Sequence, residues 1–187
     1  MKYFFLLTLL ISSAMSLETP KYSVLEKNAN FEIRSYKNFI VAHTDVQSEY
    51  KQATSMGFRR IANYIFGGND KNLKIPMTAP VISTSPGINP DSYEVMFFMP
   101  SNYSLKNLPK PNLESVNVDE FQIKKVAAIK FGGWATEENC LKYQKKLEIW
   151  LQKKSIKTDL DYMVAQYNSP WAIPPFRKNE ILVRIID

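Results

Sequence analysis

The sequence predicts an α+β domain made of two copies of one unit, each in the order strand, strand, helix, strand, strand. Three observations predict it: short runs of β-branched and aromatic residues, two longer segments with helical periodicity, and the same order of segments in both halves of the chain. Because one unit alone offers too small a sheet to be stable, we expect the two sheets to pack together and leave one helix on each side.

The first unit is predicted to contain strands on both sides of one helix. The strands are expected at residues 22–27, 31–36, 39–46, 74–84 and 93–99. Between them, residues 48–66 have helical periodicity and end at the loop-forming sequence GGND, residues 67–70. The predicted core stripe of this helix consists of Tyr50, Ala53, Gly57, Ile61, Tyr64 and Ile65.

The second unit is predicted to repeat this order. Strands are expected at residues 116–122, 125–131, 162–167 and 180–186, and a helix is expected over residues 136–154 with Thr136 as its N-cap. Short sequence matches support a duplication: FEIR at residues 31–34 matches FQIK at 121–124, and MTAP at 77–80 matches MVAQ at 163–166.

Residues 1–16 have the pattern of a secretory signal peptide. Lys2 is followed by an apolar run over residues 3–11 and by small residues up to Ser16. The run is too short to cross a bilayer as a helix, so we expect cleavage after Ser16, a single domain over residues 17–187, and a secreted protein or a resident of a secretory-pathway compartment. No stable membrane insertion is expected.

Composition limits the classes of function. Cys140 is the only cysteine, so the fold cannot hold an intramolecular disulfide, and we expect Cys140 to be a small buried helix residue. The net charge of +6 is spread along the chain, which argues against a nucleic-acid partner and favours anionic ligands. The sequence Asn102-Tyr103-Ser104 is an acceptor for a glycan.

Recognised catalytic motifs are absent from the sequence, which has one histidine, no Gly-rich phosphate loop, no HExxH and no GxSxG. No catalytic residue is therefore predicted. His43 lies in a predicted strand and would face inward if Phe39 and Val41 do. It is a hydrogen-bonded structural residue, a surface residue or an axial metal ligand. Acidic residues at strand ends, among them Glu94 and Asp119, are either solvated groups or acid/base groups.

The first predicted helix has an unusual composition on the face opposite its core stripe. A thioether and an aromatic ring lie there among hydrogen-bond donors, which would suit a flat apolar ligand with anionic edges. Alternatively, the C-terminal loops or residues 74–81 cover the apolar members of this face. The candidate ligand contacts on this helix are Met56, Arg59, Arg60, Asn63, Ile65 and Phe66.

Three separated motifs carry a resemblance to a known family. Residues 74–81 read KIPMTAPV and follow GGNDK at 67–71; residues 31–36 read FEIRSY; and residues 165–170 read AQYNSP. In this order and spacing they closely resemble the SOUL heme-binding protein family. The resemblance extends over residues 22–186.

The resemblance implies a distorted antiparallel β-barrel of two β-β-α-β-β pseudo-repeats flanked by two α-helices. It also implies noncovalent binding of heme or another porphyrin at a hydrophobic surface formed partly by the first helix, here as a secreted carrier or buffer. Some family members ligate heme through a histidine directly before the tyrosine of the opening motif, and this position is Ser35 here. We therefore expect binding through apolar contacts and through Arg or Lys to the propionates, with no axial ligand and similar affinity for iron-free porphyrin.

Two other classes of function are compatible with the sequence. The architecture resembles a broader superfamily of small-molecule binding domains, some of which hydrolyse their ligands. The basic second helix could instead be a surface for a protein partner or a membrane.

Overall fold

The computed structural model describes residues 17–88, 91–169 and 172–186, so the predicted signal peptide at residues 1–16 lies outside the described residues. Within the described ranges, nine strands form one antiparallel sheet that is covered by two α-helices. The strands are β1 (Tyr22–Asn28), β2 (Phe31–Tyr36), β3 (Phe39–Val46), β4 (Val81–Thr84), β5 (Tyr93–Phe98), β6 (Asn117–Phe121), β7 (Lys125–Phe131), β8 (Met163–Gln166) and β9 (Asn179–Arg184). The helices are α1 (Tyr50–Ile65) and α2 (Glu137–Lys153).

The sheet confirms the predicted duplication of topology. Its strand order is β1-β2-β7-β9-β8-β4-β5-β3-β6, so β2, β3, β4 and β5 occupy places equivalent to those of β6, β7, β8 and β9 about the central β4–β8 pair. The first strand of each unit is exchanged, since β2 pairs with β7 and β6 pairs with β3. The short sequence matches do not follow this equivalence. Residues 77–80 lie before β4, which is the counterpart of β8, and the FEIR–FQIK match joins the start of β2 to the end of β6.

Both helices pack on the same face of the sheet, and the expectation of two packed sheets with one helix on each side is wrong. The reason is that β4 and β8 pair edge to edge through their backbones, which merges the two units into one sheet. Side chains of α1 and α2 consequently share one hydrophobic cluster, in which Tyr50 and Ala53 of α1 join Leu147 and Leu151 of α2.

The opposite face of the sheet curls around an apolar interior. Val41 on β3 and Val126 on β7 belong to one buried cluster although their strands are far apart in the sheet. The ring of Phe39 lies 5.6 Å from that of Phe121 and 6.4 Å from that of Tyr36. Strand twist produces this curl, and the result confirms the predicted distorted antiparallel barrel. We call the space enclosed by this face the barrel interior.

The loop after α1 is held by one buried asparagine. The Asn69 side chain donates to the carbonyl oxygens of Tyr64 (2.9 Å) and Leu73 (2.8 Å) and accepts from the backbone N–H groups of Lys71 (3.2 Å) and Leu73 (3.0 Å). The strand predicted over residues 74–84 forms only at β4, because Pro76 and Pro80 have no N–H group to donate to a strand ladder.

Cys140 is buried on α2, as predicted, and burial raises the pKa of its thiol to about 11. In the described parts of the chain, neither helix is long and apolar enough to cross a membrane. Asn102 is exposed in a turn, and its glycosylation stays a prediction.

His43 ties three strands together on the barrel-interior face. Its Nδ1 lies 2.7 Å from Glu94 Oε1 on β5, and its Nε2 lies 3.0 Å from Asp119 Oδ2 on β6. The interaction with Glu94 is the largest cause of a change in the pKa of His43. Together the two carboxylates outweigh the effect of burial, which lowers this pKa, and they raise it to about 9. His43 is thus hydrogen-bonded through Nε2 to Asp119, and the raised pKa favours its protonated form at neutral pH.

We predict that Gly57→Ala destabilises the fold. A Cβ atom at Gly57 would lie 2.5 Å from Cγ2 and 2.6 Å from Cβ of Val95, which is anchored to the β5 backbone and cannot rotate away. The free energy of unfolding should fall by about 1–3 kcal/mol, although alanine favours helix by about 1 kcal/mol. Urea unfolding would measure this, with exposed Gln52→Ala as a control expected within about 0.5 kcal/mol of wild type. Unchanged or increased stability of Gly57→Ala would contradict the close helix–sheet approach.

We also predict an alkaline loss of stability that depends on His43. Its folded-state pKa of about 9 lies above the unfolded value of about 6.5, so its stabilising contribution is complete below about pH 6.5 and disappears as the pH rises through about 9. The difference in urea midpoint between wild type and His43→Gln should therefore shrink from about pH 7 to about pH 10. A difference that stays constant over this range would show that the two ion pairs do not stabilise the fold.

Candidate functional site

A cavity of about 920 Å³ lies between α1, the helix-bearing face of the sheet, and the loops before α2 and after β8. We call it the helix-side cavity. Its volume is at the upper end of the roughly 300–1,000 Å³ that small-molecule sites occupy. Most of the walls are apolar side chains from separate parts of the chain, which include Phe58, Phe66, Met77, Val81 and Trp134.

Trp134 forms one wall and is held in position by Arg177. The guanidinium carbon of Arg177 lies 3.7 Å from the centre of the Trp134 ring, and Arg177 Nε donates to the carbonyl oxygen of Ala172 at 2.9 Å. Half of the Trp134 surface is exposed, so its ring is accessible from the cavity while the cation–π contact limits its motion.

A few polar groups interrupt the apolar walls. Lys51, in the first turn of α1, is exposed and lines the cavity. At the floor, the buried Ser83 hydroxyl lies beside Tyr50 but makes no well-formed hydrogen bond with the described residues. Apolar walls with few polar groups are typical of sites that bind a largely hydrophobic ligand and orient its polar edges.

The geometry of α1 explains which of its residues line this cavity. At 3.6 residues per turn, Lys51, Ser55 and Phe58 lie on one side of the helix, and all three line the cavity. The predicted core stripe is confirmed, because all six of its members are buried. The exposed side chains of Arg59 and Asn63 lie on a third face, which does not line the cavity.

The structure separates the six residues that the sequence suggested as ligand contacts. Phe66 is 58% exposed and lines the cavity. Met56 is half-buried against the core shared by the two helices. Arg60 is bound to β3, because its Nη1 donates to the Asp45 carbonyl oxygen at 2.9 Å and to Thr44 Oγ1 at 3.3 Å. The ligand roles of Met56, Arg59, Arg60, Asn63 and Phe66 stay predictions.

Ile65 requires a correction. Its side chain is enclosed in the core beneath α1 and only 1% of its surface is exposed, so it offers no contact surface to a ligand. Sequence reasoning missed Lys51, Phe58, Met77 and Trp134 as cavity residues. Met77 belongs to the KIPMTAPV motif, but its proximity to Phe58 and Trp134 arises from packing between distant segments.

No residue that the sequence suggested as a metal ligand lies at this cavity. Both ring nitrogens of His43 are engaged by carboxylates, and its side chain faces the barrel interior rather than the helices. Ser35 is exposed on β2. In the parts of the chain that the structure describes, no group of three or more His, Cys, Asp or Glu residues could hold a metal ion.

Comparison with known proteins identifies relatives of the whole domain. "Heme-binding protein 2" of Homo sapiens is 29% identical over 172 residues, which cover 85% of this chain and 82% of that protein. "Heme-binding protein 1" of Xenopus laevis is 27% identical over 156 residues and 81% of each chain. The crystal structure of a hydrolase from Listeria innocua has a TM-score of 0.60 at 8% identity, covering 87% of this chain and 94% of that one, and this likeness shows the fold alone.

Residues 17–184 match the family described as SOUL heme-binding protein, in agreement with the motifs at residues 31–36, 67–81 and 165–170. The match extends over both pseudo-repeats and includes every strand and helix that forms the helix-side cavity. The chain belongs to the SOUL heme-binding protein family.

Proposed function

We propose that the helix-side cavity binds heme or another tetrapyrrole noncovalently. The observation that carries this proposal is a largely apolar cavity of about 920 Å³, with a lysine among its lining residues, in a member of a heme-binding protein family. The names of the human and Xenopus relatives support the same ligand class.

The lining residues fit the chemistry of a porphyrin. Aromatic side chains such as Phe58 and Trp134 offer flat apolar surface to the faces of a macrocycle, and the Met77 thioether can adapt to an irregular edge. Lys51 combines an apolar stem with an ammonium group, so it can contact the macrocycle and pair with a propionate. These contacts are made with the macrocycle and its propionates, and none of them is made with the metal.

A secreted carrier or buffer is the role that we infer for this binding. The signal-peptide pattern of residues 1–16 supports export, and a carrier needs reversible binding of the kind that apolar contact and surface ion pairs provide. In the interior of the barrel, Glu32 and Glu180 are both engaged by Arg34, which favours binding over acid/base chemistry there.

We predict that residues 17–187 bind hemin and metal-free protoporphyrin with similar affinity. Ser35 replaces the histidine of the family's opening motif and His43 lies on the other face of the sheet, so the metal should add little to the binding free energy. A titration followed by Soret absorbance and by quenching of tryptophan fluorescence would measure both affinities. We expect saturable binding at micromolar concentrations or tighter. The absence of saturable binding would contradict the proposed function, and hemin binding that is much tighter would contradict recognition without axial ligation.

We further predict that Lys51 and Phe66 provide the contribution of α1 to the free energy of porphyrin binding. Lys51→Ala should weaken binding of the dicarboxylate porphyrin about three- to tenfold and weaken binding of its dimethyl ester much less, because the ester loses only the contact with the lysine stem and has no charge to pair. Phe66→Ala should weaken both ligands, because it removes apolar contact.

Arg59→Ala is the matched control for these variants, since Arg59 is an exposed cation of the same helix that lies away from the cavity. The sequence-based hypothesis assigns the propionates to Arg59 and Arg60 instead. If Arg59→Ala weakens porphyrin binding and Lys51→Ala does not, the ligand binds on the exposed face of α1 instead.

A further inference from the structure

A second cavity, of about 550 Å³, lies in the barrel interior on the face of the sheet that the helices do not cover. We call it the interior cavity. Its apolar lining includes Phe39, Ile82, Ile123 and Leu182. Tyr36, the partly exposed Lys130 and Glu180 also line it and belong to a hydrogen-bonded polar group around the buried Arg34.

A fully buried arginine is the centre of this group. Arg34 Nε and Nη2 each lie 2.8 Å from Glu32 Oε2. Its Nη1 donates to Glu180 Oε2 at 2.8 Å and to Tyr36 Oη at 3.0 Å, and its Nη2 donates to Glu180 Oε1 at 2.6 Å. These contacts use all five N–H groups of the guanidinium, so Arg34 has none left for a ligand.

Both carboxylates also have hydrogen-bond partners other than Arg34. Glu180 accepts a further hydrogen bond from the Tyr167 hydroxyl at 2.7 Å, and Glu32 accepts one from Lys130 Nζ at 2.5 Å. The two carboxylates thus face Arg34 and Lys130, and the exposed Lys27 Nζ lies a further 3.8 Å from Glu32 Oε1, so the negative charge of the group is fully balanced. A cationic ligand would have to displace Arg34, which is the cation already buried against these carboxylates.

Tyr36 has an unused hydrogen-bond donor at the cavity wall. Its oxygen accepts from Arg34, and in the described residues its own hydroxyl proton has no acceptor. Burial raises the pKa of Tyr36 to about 12, so the proton stays in place at neutral pH. A hydroxyl that accepts from a guanidinium becomes a stronger donor, because hydrogen bonds in a chain polarise one another.

The charges around the cavity favour an anionic acceptor. Lys130 and Lys178 both line it, and the nearby carboxylates are already paired. We propose that the interior cavity is a second binding site, for a small apolar molecule with one carboxylate, whose oxygen accepts the Tyr36 hydroxyl proton while its apolar body contacts Phe39, Ile82 and Leu182. The smaller volume and the Tyr36 donor set this ligand class apart from a tetrapyrrole dicarboxylate.

The two sites lie on opposite faces of the same sheet. Adjacent residues of β4 separate them, because Val81 and Ser83 line the helix-side cavity whereas Ile82 lines the interior cavity. Tyr167 and Arg177 line both cavities, so the two sites meet at these side chains.

We suggest 2-naphthoate as the probe, titrated calorimetrically into residues 17–187. Tyr36→Phe keeps the ring and removes the donor, and should weaken binding about tenfold. Thr19 is exposed and lines the cavity, so Thr19→Trp should block entry without loss of the fold, and it covers the case in which Tyr36→Phe is unstable. Phe66→Ala changes the other cavity and should leave naphthoate binding unchanged.

Saturating metal-free protoporphyrin separates this proposal from the proposed function. Naphthoate should bind equally well with and without protoporphyrin, and Tyr36→Phe should leave protoporphyrin binding unchanged. The second site is overturned if naphthoate does not bind, if protoporphyrin or Phe66→Ala abolishes its binding, or if neither Tyr36→Phe nor Thr19→Trp weakens it. Naphthoate binding in a protein that fails to bind protoporphyrin would support the interior site and overturn only the tetrapyrrole proposal.

Discussion

The antiparallel pairing of β4 with β8 is the contact on which the rest of the structure depends. It runs from Val81 opposite Gln166 to Thr84 opposite Met163 and joins the two units through backbone hydrogen bonds. One continuous sheet results, with one face for both helices and another that curls on itself. Because successive side chains of a strand point to opposite faces, β4 contributes to a cavity on each.

Local patterns in the sequence predicted the elements, but not how they meet. The core stripe of α1 was found because helical periodicity depends on neighbouring residues, and all six of its members are buried. The β4–β8 pairing joins residues about eighty positions apart, and nothing local specifies it. The same distinction holds for the residues of the helix-side cavity. Phe66 could be predicted because it is an aromatic residue on a polar helix face, whereas Trp134 lines the cavity only through packing between distant segments.

The buried charged residues of the barrel interior distinguish this face of the sheet from the face that the helices cover. Glu32 and Arg34 are two residues apart on β2 and therefore share a face, but the partner Glu180 lies 146 residues from Arg34. Removing any one of these charges would leave another unpaired in the interior, so they must be kept or lost together. Their mutual pairing leaves the uncharged Tyr36 hydroxyl available to an acceptor, as the proposed second site requires.

The position of His43 limits how this protein could recognise a heme. To ligate iron in the helix-side cavity, its imidazole would have to lose its proton, break its contacts with Glu94 and Asp119, and reach the other face of the sheet. The recognition that we propose would depend on the area of the macrocycle and on the position of its carboxylates. On this proposal, heme and its iron-free precursor are held by the same contacts.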